Sequence, residues 1–308
     1  MGTAISTRLS GDIENISLFA RDKKIVKSIN EKHRNLKYFP NIELSRNINA
    51  YSIKELNNHS DFDLAIIALP SNAVRDVITD YREIFKNKLI ISVSKGIEYP
   101  SLKTMTEVIS EIQKGAKLVS FSGPNFADEL AHGYLAAATI GSDDFNKFLQ
   151  IKSYFQKFLF DYSYDIHAVE ICGILKNVYS IGMGIWDSKS SSNNEHYAFL
   201  SLCFKEMQKF LEFCSSDMDI SSKFCCFGDF NLTANIDKSR NRTLGLMIGK
   251  GFIKSSNNIQ NSIIIEGMKS IKGIIQLASN NAIEMPIAEE IARALEGYDF
   301  NYLRFFYN

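Results

Sequence analysis

The sequence predicts an α/β protein, a doubly wound parallel sheet over residues 1–166 followed by an all-helical half over residues 167–308. Three observations carry this reading. Short apolar runs, nearly continuous in Ile, Val, Leu and Ala, alternate with helical segments through the first half, as parallel strands buried on both faces require. From about residue 167 the apolar residues recur at three and four, the period of a helix. Gly2-Thr-Ala opens the chain, and a strand ends about twenty residues later at Ala20-Arg21, the spacing between a glycine-rich nucleotide loop and the residue that reads the ribose.

Composition sets the outer limits. A chain of 308 residues has room for two domains, each with its own core. Thirty-five basic and thirty-five acidic residues cancel, so no bulk field favours nucleic acid or an anionic membrane. No uninterrupted apolar run approaches the roughly 18 residues of a membrane span, and no signal-peptide pattern opens the chain. The five cysteines fall in neither a CxxC pair nor a Cys/His metal spacing, so no metal site is expected. Reduced thiols in a cytoplasmic compartment account for them most simply.

Taken in order, Gly2 to Leu9 reads as the helix after a nucleotide loop, with Gly2 as the last glycine of G-x-G-x-x-G. The buried strand and two further glycines expected ahead of it are absent from the sequence, and a start upstream of Met1 is one expectation that follows. The strands are Asn15–Ala20, Asp63–Leu69, Lys88–Ser94, Lys117–Phe121, Ala137–Ile140 and Asp161–Ile166. Asn72–Phe85 and Leu102–Gln113 suit crossover helices. The second half reads as helices Ala168–Trp186, Tyr197–Cys214, Leu232–Gly249, Ile263–Ser279 and Pro286–Leu295, the last with proline in its first turn. Ser188–Asn194 is a polar surface loop. With a glycine at a helix start and a ribose reader at the next strand end, the first half is Rossmann-type.

The chemistry centres on Glu170–Asp187. Ile171, Ile174, Leu175, Val178, Ile181 and Ile185 form one buried stripe, and Lys176 shares a second face with Cys172, Gly173 and Ser180. Those small neighbours leave room for something bulky to approach the ammonium. Gly173, Gly182 and Gly184 each cost about 0.5–1 kcal/mol relative to alanine in a helix interior, so close packing or ligand approach is expected there. Lys176 is either a core lysine whose head reaches water or a desolvated acid/base with a lowered pKa. Lys95-Gly96 sits just past a strand end, where doubly wound folds place ligands. Phe121-Ser-Gly-Pro-Asn125 is another strand end, running into a helix start. Asp229 stands in an apolar setting where a carboxylate needs a partner, either as an N-cap or beside Lys176. Ser239-Arg-Asn-Arg242 places two guanidiniums around an amide, suited to phosphate or to a plain helix surface. Arg21, in place of an acid, is either solvated or a reader of a 2′-phosphate.

Together these stretches resemble the NAD(P)-dependent glycerol-3-phosphate dehydrogenases of the bacterial type. The resemblance runs nearly end to end, through Leu18-Phe-Ala-Arg-Asp22, Ala68-Leu-Pro-Ser71, Ser94-Lys-Gly-Ile-Glu98, Ser122-Gly-Pro-Asn-Phe-Ala127, Leu175-Lys-Asn-Val178, Gly228-Asp229, Ser239-Arg-Asn241, Glu266-Gly267 and Met285-Pro-Ile287. It implies Lys176 as the catalytic acid/base, Lys95, Gly123, Asn125 and Asp229 around the substrate, and Ser239, Arg240 and Asn241 at the substrate phosphate. Gly2, Arg21, Lys95, Ala127, Arg240 and Glu266 would contact the cofactor, NADPH or NADH. The implied reaction interconverts dihydroxyacetone phosphate and sn-glycerol 3-phosphate for phospholipid synthesis, in a protein that a homodimer would suit. The chain departs from the pattern at Asn194-Glu-His196, where Asn-Ala and a basic residue are usual. It departs again at Cys226 and at Asn125. An active dehydrogenase is one expectation; a degenerate relative that has lost its cofactor is the other.

Overall fold

The computed structural model describes residues 1–155, 157–254, 265–301 and 305. The first half runs α1 (Gly2–Leu9), β1 (Ile16–Ala20), α2 (Lys23–Lys32), β2 (Ile48–Ser52), β3 (Leu64–Ile67), α3 (Val74–Asp80), β4 (Leu89–Ser92), β5 (Ile97–Glu98), β6 (Lys103–Thr104), α4 (Met105–Ile112), β7 (Lys117–Ser122), α5 (Ala127–Ala131), β8 (Ala136–Gly141), α6 (Phe145–Tyr154) and β9 (Phe158–Ser163). The second half is helical: α7 (Ile166–Asp187), α8 (Asn193–Cys214), α9 (Asp229–Asn235), α10 (Arg240–Gly249), α11 (Glu266–Asn280) and α12 (Pro286–Glu296).

The strands of the described residues form three sheets rather than one, the smallest being the antiparallel pair β5-β6. β3-β4-β7-β8-β9 make a five-stranded sheet, while β1 and β2 pair separately in parallel. The division falls between β1 and β3, where the first strand of the doubly wound order was expected. Apolar side chains bridge it on both faces. Ala4, Ile5 and Leu9 of α1 join Leu89, Ile91 and Val119 in one cluster that also takes in Ile16 and Ile66. Phe19 of β1 packs on the opposite cluster with Ile67, Val74 and Ile90. Within the larger sheet β7 and β8 run antiparallel and the other pairs parallel, so the sheet is mixed where a wholly parallel one was predicted. The fully buried Leu89-Ile-Ile-Ser92 shows why β4 was legible as a continuous apolar run.

Two predicted elements need correction. Leu232–Gly249 is not one helix but α9 and α10, broken by a turn in which the Ser239 hydroxyl accepts from the backbone N–H of Arg242 at 3.3 Å and caps α10. Asp161–Ile166 is a strand only to Ser163, because Asp165 caps α7 by accepting from Ala168 N–H at 2.9 Å. The polar loop is also shorter than predicted, since α8 begins at Asn193. Of the predicted Ile263–Ser279 helix, Ile263 and Ile264 lie outside the described residues.

α7 is the axis of the helical half. Every residue from Ala168 to Trp186 is buried, in one cluster with α8, α10, α11 and α12. It is long and apolar enough to cross a membrane by length and composition, yet it lies wholly inside the protein. Its glycines explain the contacts. A Cβ on Gly184 would lie 2.1 Å from the Arg242 carbonyl oxygen, and one on Gly245 of α10 would lie 2.0 Å from that of Ile181. The two backbones therefore touch, which carries the start of α10 up against the middle of α7.

Candidate active site

Five segments converge on Lys176. α7 supplies Lys176 itself, 6% exposed. A π-helical turn over Phe224–Gly228 leads into α9 and presents Asp229, 1% exposed, to it; such turns recur at functional sites. The Lys176 ammonium donates to Asp229 Oδ1 at 2.5 Å and to Thr233 Oγ1 at 3.1 Å. Lys95, in the loop after β4, donates to the other carboxylate oxygen at 2.8 Å, and Ser122 at the end of β7 donates to it at 3.4 Å. Asp229 is thus the partner of two lysines rather than an N-cap; no side-chain cap is formed at α9.

The room beside Lys176 that the sequence foretold is filled by Lys95. Gly173 admits it: a Cβ there would stand 3.4 Å from the Lys95 Cγ and Cδ and 3.0 Å from Ser122 Oγ. Burial, the largest influence, brings the Lys176 ammonium down from its ordinary value to about 7, with Lys95 pushing the same way and Asp229 opposing both. An ammonium has three N–H groups. Two are engaged, leaving one for a substrate oxygen.

Beyond Lys176 lies the start of α10. Asn177 Oδ1 accepts from Asn241 Nδ2 at 2.9 Å, and Asn241 Oδ1 accepts from Gly267 N–H at 3.1 Å. Asn241 therefore ties three helices together, with one N–H remaining for a ligand. Ser239 is buried as the cap. Arg240, at the first position of α10, is exposed and makes no hydrogen bond or ion pair among the described residues. It lies near enough to the Met1 amino group for their charges to repel, so it faces the start of α1. Arg242 is committed elsewhere: Nη1 meets Asp187 at 2.5 Å, and Nε meets Asp237 at 2.8 Å. A single free guanidinium at a helix N-terminus is a site for a phosphate.

The remaining predicted residues divide. Asn125 is 8% exposed and makes no side-chain hydrogen bond among the described residues. Gly123 is required by packing, since a Cβ would sit 2.5 Å from the Ala137 carbonyl oxygen of β8. Gly2 begins α1, which has no side-chain cap, and a Cβ there would meet only Ala68 at 3.7 Å. Arg21 is exposed at the end of β1, and Ala127 begins α5. Glu266, at the start of α11, accepts from the Ser71 hydroxyl at 2.7 Å and so bridges the two halves. An uncapped helix start at Gly2, an Arg21 without a partner among the described residues and a carboxylate between the two halves fit a dinucleotide.

Thr233 was missed by the sequence reading. Its signal was present, four residues after Asp229 and so on the same helix face; its hydroxyl donates to the Asp229 carbonyl at 2.7 Å, leaving a lone pair for Lys176. Ser122 and the hinge amide Asn177 were likewise quoted in motifs without a role.

Known proteins are similar to this chain. Residues 1–147 match the family described as NAD-dependent glycerol-3-phosphate dehydrogenase N-terminus, and residues 165–299 match the corresponding C-terminus. A relative from Methanothermobacter thermautotrophicus, named as an NAD(P)+ glycerol-3-phosphate dehydrogenase, is 37% identical over 300 residues, covering 96% of this chain and 90% of its own. One of the same name from Ehrlichia chaffeensis is 33% identical, covering 96% and 92%. The crystal structure of glycerol-3-phosphate dehydrogenase from Coxiella burnetii superposes with a TM-score of 0.86 at 25% identity, covering 95% of this chain and 90% of that one.

Proposed function

The chain belongs to the NAD-dependent glycerol-3-phosphate dehydrogenase family, and on that premise we propose that it reduces dihydroxyacetone phosphate to sn-glycerol 3-phosphate, reversibly, with Lys176 as acid/base. The observation that carries this is the third N–H of a buried lysine, its other two held by Asp229 and Thr233, a short way from an unpartnered Arg240 at a helix start.

NADPH or NADH would be held by Gly2 and the start of α1, Arg21, Ala127, Lys95, Arg240 and Glu266. The nicotinamide supplies the hydride that adds to C2 of the ketone. The residues of this chain do the rest. Negative charge builds on the C2 oxygen, and Lys176 stabilises it and gives it a proton. Asp229 keeps the ammonium charged until then, and Thr233 fixes the direction of its remaining N–H. Lys95, with two N–H groups left after Asp229, adds positive charge beside the same oxygen. Arg240 and the first N–H groups of α10 hold the phosphate, with the third donor from Asn241. In the oxidative direction neutral Lys176 takes the proton from the alcohol.

Residues 1–166 form the dinucleotide-binding domain in this reading and residues 167–308 the substrate domain. Five free cysteines among the described residues accord with a cytoplasmic enzyme, whose product would feed glycerophospholipid synthesis. The intact Lys176–Asp229–Thr233 cluster favours activity over decay. The test is oxidation of NADPH and NADH dependent on dihydroxyacetone phosphate. Turnover with either supports the assignment; a folded chain that neither binds nor oxidises either cofactor returns the degenerate reading.

A further inference from the structure

Asn194-Glu-His196, where the sequence departs from the family pattern, lies in the first turn of α8. The His196 ring, with 16% of its side chain exposed, sits between two oxygens: Nδ1 is 2.7 Å from Asp187 Oδ1 and Nε2 is 2.6 Å from Asn235 Oδ1. The orientation of Asn235 is fixed, because its Nδ2 donates to the Asn231 carbonyl at 2.8 Å. A flipped amide would set two oxygens against each other. Both ring nitrogens therefore face oxygen acceptors. The place of a basic residue is filled by an imidazole held at both nitrogens.

From His196 the contacts continue. Asp187 Oδ2 accepts from Arg242 Nη1 at 2.5 Å, which also donates to the Ala234 carbonyl at 3.0 Å, while Arg242 Nε donates to Asp237 at 2.8 Å. The chain of bonds joins the end of α7, the first turn of α8, the end of α9 and the first turn of α10. It encloses the turn 236–239, whose next residue is Arg240. Ile236, Asp237 and Lys238 of that turn are exposed; apart from the brace it is held by Ser239 N–H donating to the Ile236 carbonyl, by the Thr243 hydroxyl on the Asp237 carbonyl, and by Lys238 reaching Asp128 and Glu129 at the surface.

We propose that Asp187, His196, Asn235 and Arg242 form a brace that fixes the 236–239 turn and so positions Arg240 for a phosphate monoester, with His196 as a positioning residue that never touches the ligand. This rests on the proposed substrate class. Arg242 is the strut, and its commitment to two carboxylates is why only Arg240 is left for the anion. No member of the brace bonds to Lys176, Asp229 or Thr233 among the described residues, so it acts on the phosphate and leaves the proton transfer untouched.

The test pairs His196→Ala and His196→Arg with two ketones, dihydroxyacetone phosphate and dihydroxyacetone, and with calorimetric binding of inorganic phosphate. Loss of the two side-chain contacts of the ring predicts about a tenfold rise in KM for the phosphorylated ketone and about a tenfold weaker phosphate affinity in His196→Ala. Its kcat and its turnover of dihydroxyacetone stay within about twofold of the parent, because the binding term alone is removed. Arginine, a cation that donates to two acceptors at once, restores the affinity. An unchanged phosphate affinity in His196→Ala overturns the proposal, as does an equal loss with both ketones. Should His196→Ala fail to fold, Asp237→Asn, at an exposed carboxylate, loosens the same strut and is read the same way. Phosphate binding needs neither cofactor nor turnover, so it reports on the brace even in a chain that leaves the ketone unreduced.

Discussion

The two ends of the cleft are built on opposite principles. At the reacting end Lys176, Lys95, Asp229, Thr233 and Ser122 bond to one another, so the protein holds its own charges in place without a ligand. At the proposed phosphate end Arg240 projects from a helix start with no partner among the described residues, and its fixity is borrowed from neighbours. The difference teaches which end the fold depends on. A buried ammonium must be paired whether or not substrate is present, whereas an exposed guanidinium is hydrated and can wait for its anion. Substitutions at the first end should therefore disturb chemistry, and stability too where a buried charge loses its partner, and those at the second should disturb affinity alone.

The sharpest way to break that contrast is Lys176→Met. Without its acid the enzyme should lose about 10²–10⁴-fold in kcat, while thermal unfolding shows a fold at least as stable as the parent; a variant that keeps near-normal turnover removes Lys176 from the mechanism. Next comes Asp229→Ala, which leaves two ammoniums buried or half-buried without their carboxylate. A loss of about 3–5 kcal/mol in denaturant unfolding is expected, and a loss below about 1 kcal/mol, the range of surface pairs, would show that the cluster does not brace the fold.

The same helix offers a control in Glu170, 6% exposed, which accepts from Thr106 N–H at 3.0 Å and from its hydroxyl and makes no ion pair within 4.0 Å among the described residues, although His167 lies near enough to favour its charge. Burial pushes its carboxyl up to about 7, against the bonds from Thr106. Because the folded-state value is raised, the folded protein binds more protons than the unfolded one between the ordinary carboxylate value and about 7. Stability is highest below that window and falls as pH rises through it, by roughly 3 kcal/mol on the shift given. Glu170→Gln should flatten this slope in unfolding measured from pH 4 to 8; an unchanged slope assigns it to other groups. The smallest effect belongs to the open end. Arg240→Ala should raise KM for the phosphorylated ketone by about 10- to 100-fold, the loss of a charged hydrogen bond, with kcat and the melting temperature little moved. A lowered melting temperature would mean that Arg240 supports the fold after all.

Much of this was legible in the sequence because local signals and burial agreed. The apolar stripe around Lys176, the small residues on its second face and the buried runs of β3, β4 and β7 each announced an element and a side. What escaped were consequences of distant pairing. β2 has only five residues, Ile48-Asn-Ala-Tyr-Ser52, polar at every second place, and is held as a strand by its register with β1. The antiparallel entry of β8 beside β7 leaves no mark on composition. The break between α9 and α10 was written as a serine cap before Arg240, yet the apolar period on both sides masked it. Gly123 was tied to substrate by the resemblance; that it also makes room for Ala137 is visible only from the neighbouring strand.

The account turns on Lys176 as the acid, and the pH dependence of kcat tests that most directly. With the ammonium lowered to about 7 by burial, the protonated form predominates below that value and is lost above it. Reduction of dihydroxyacetone phosphate should slow as pH rises through about 7, and oxidation of glycerol 3-phosphate should quicken over the same range. A kcat for reduction that is flat from pH 6 to 9, or that keeps its descending limb in Lys176→Met, would contradict the assignment.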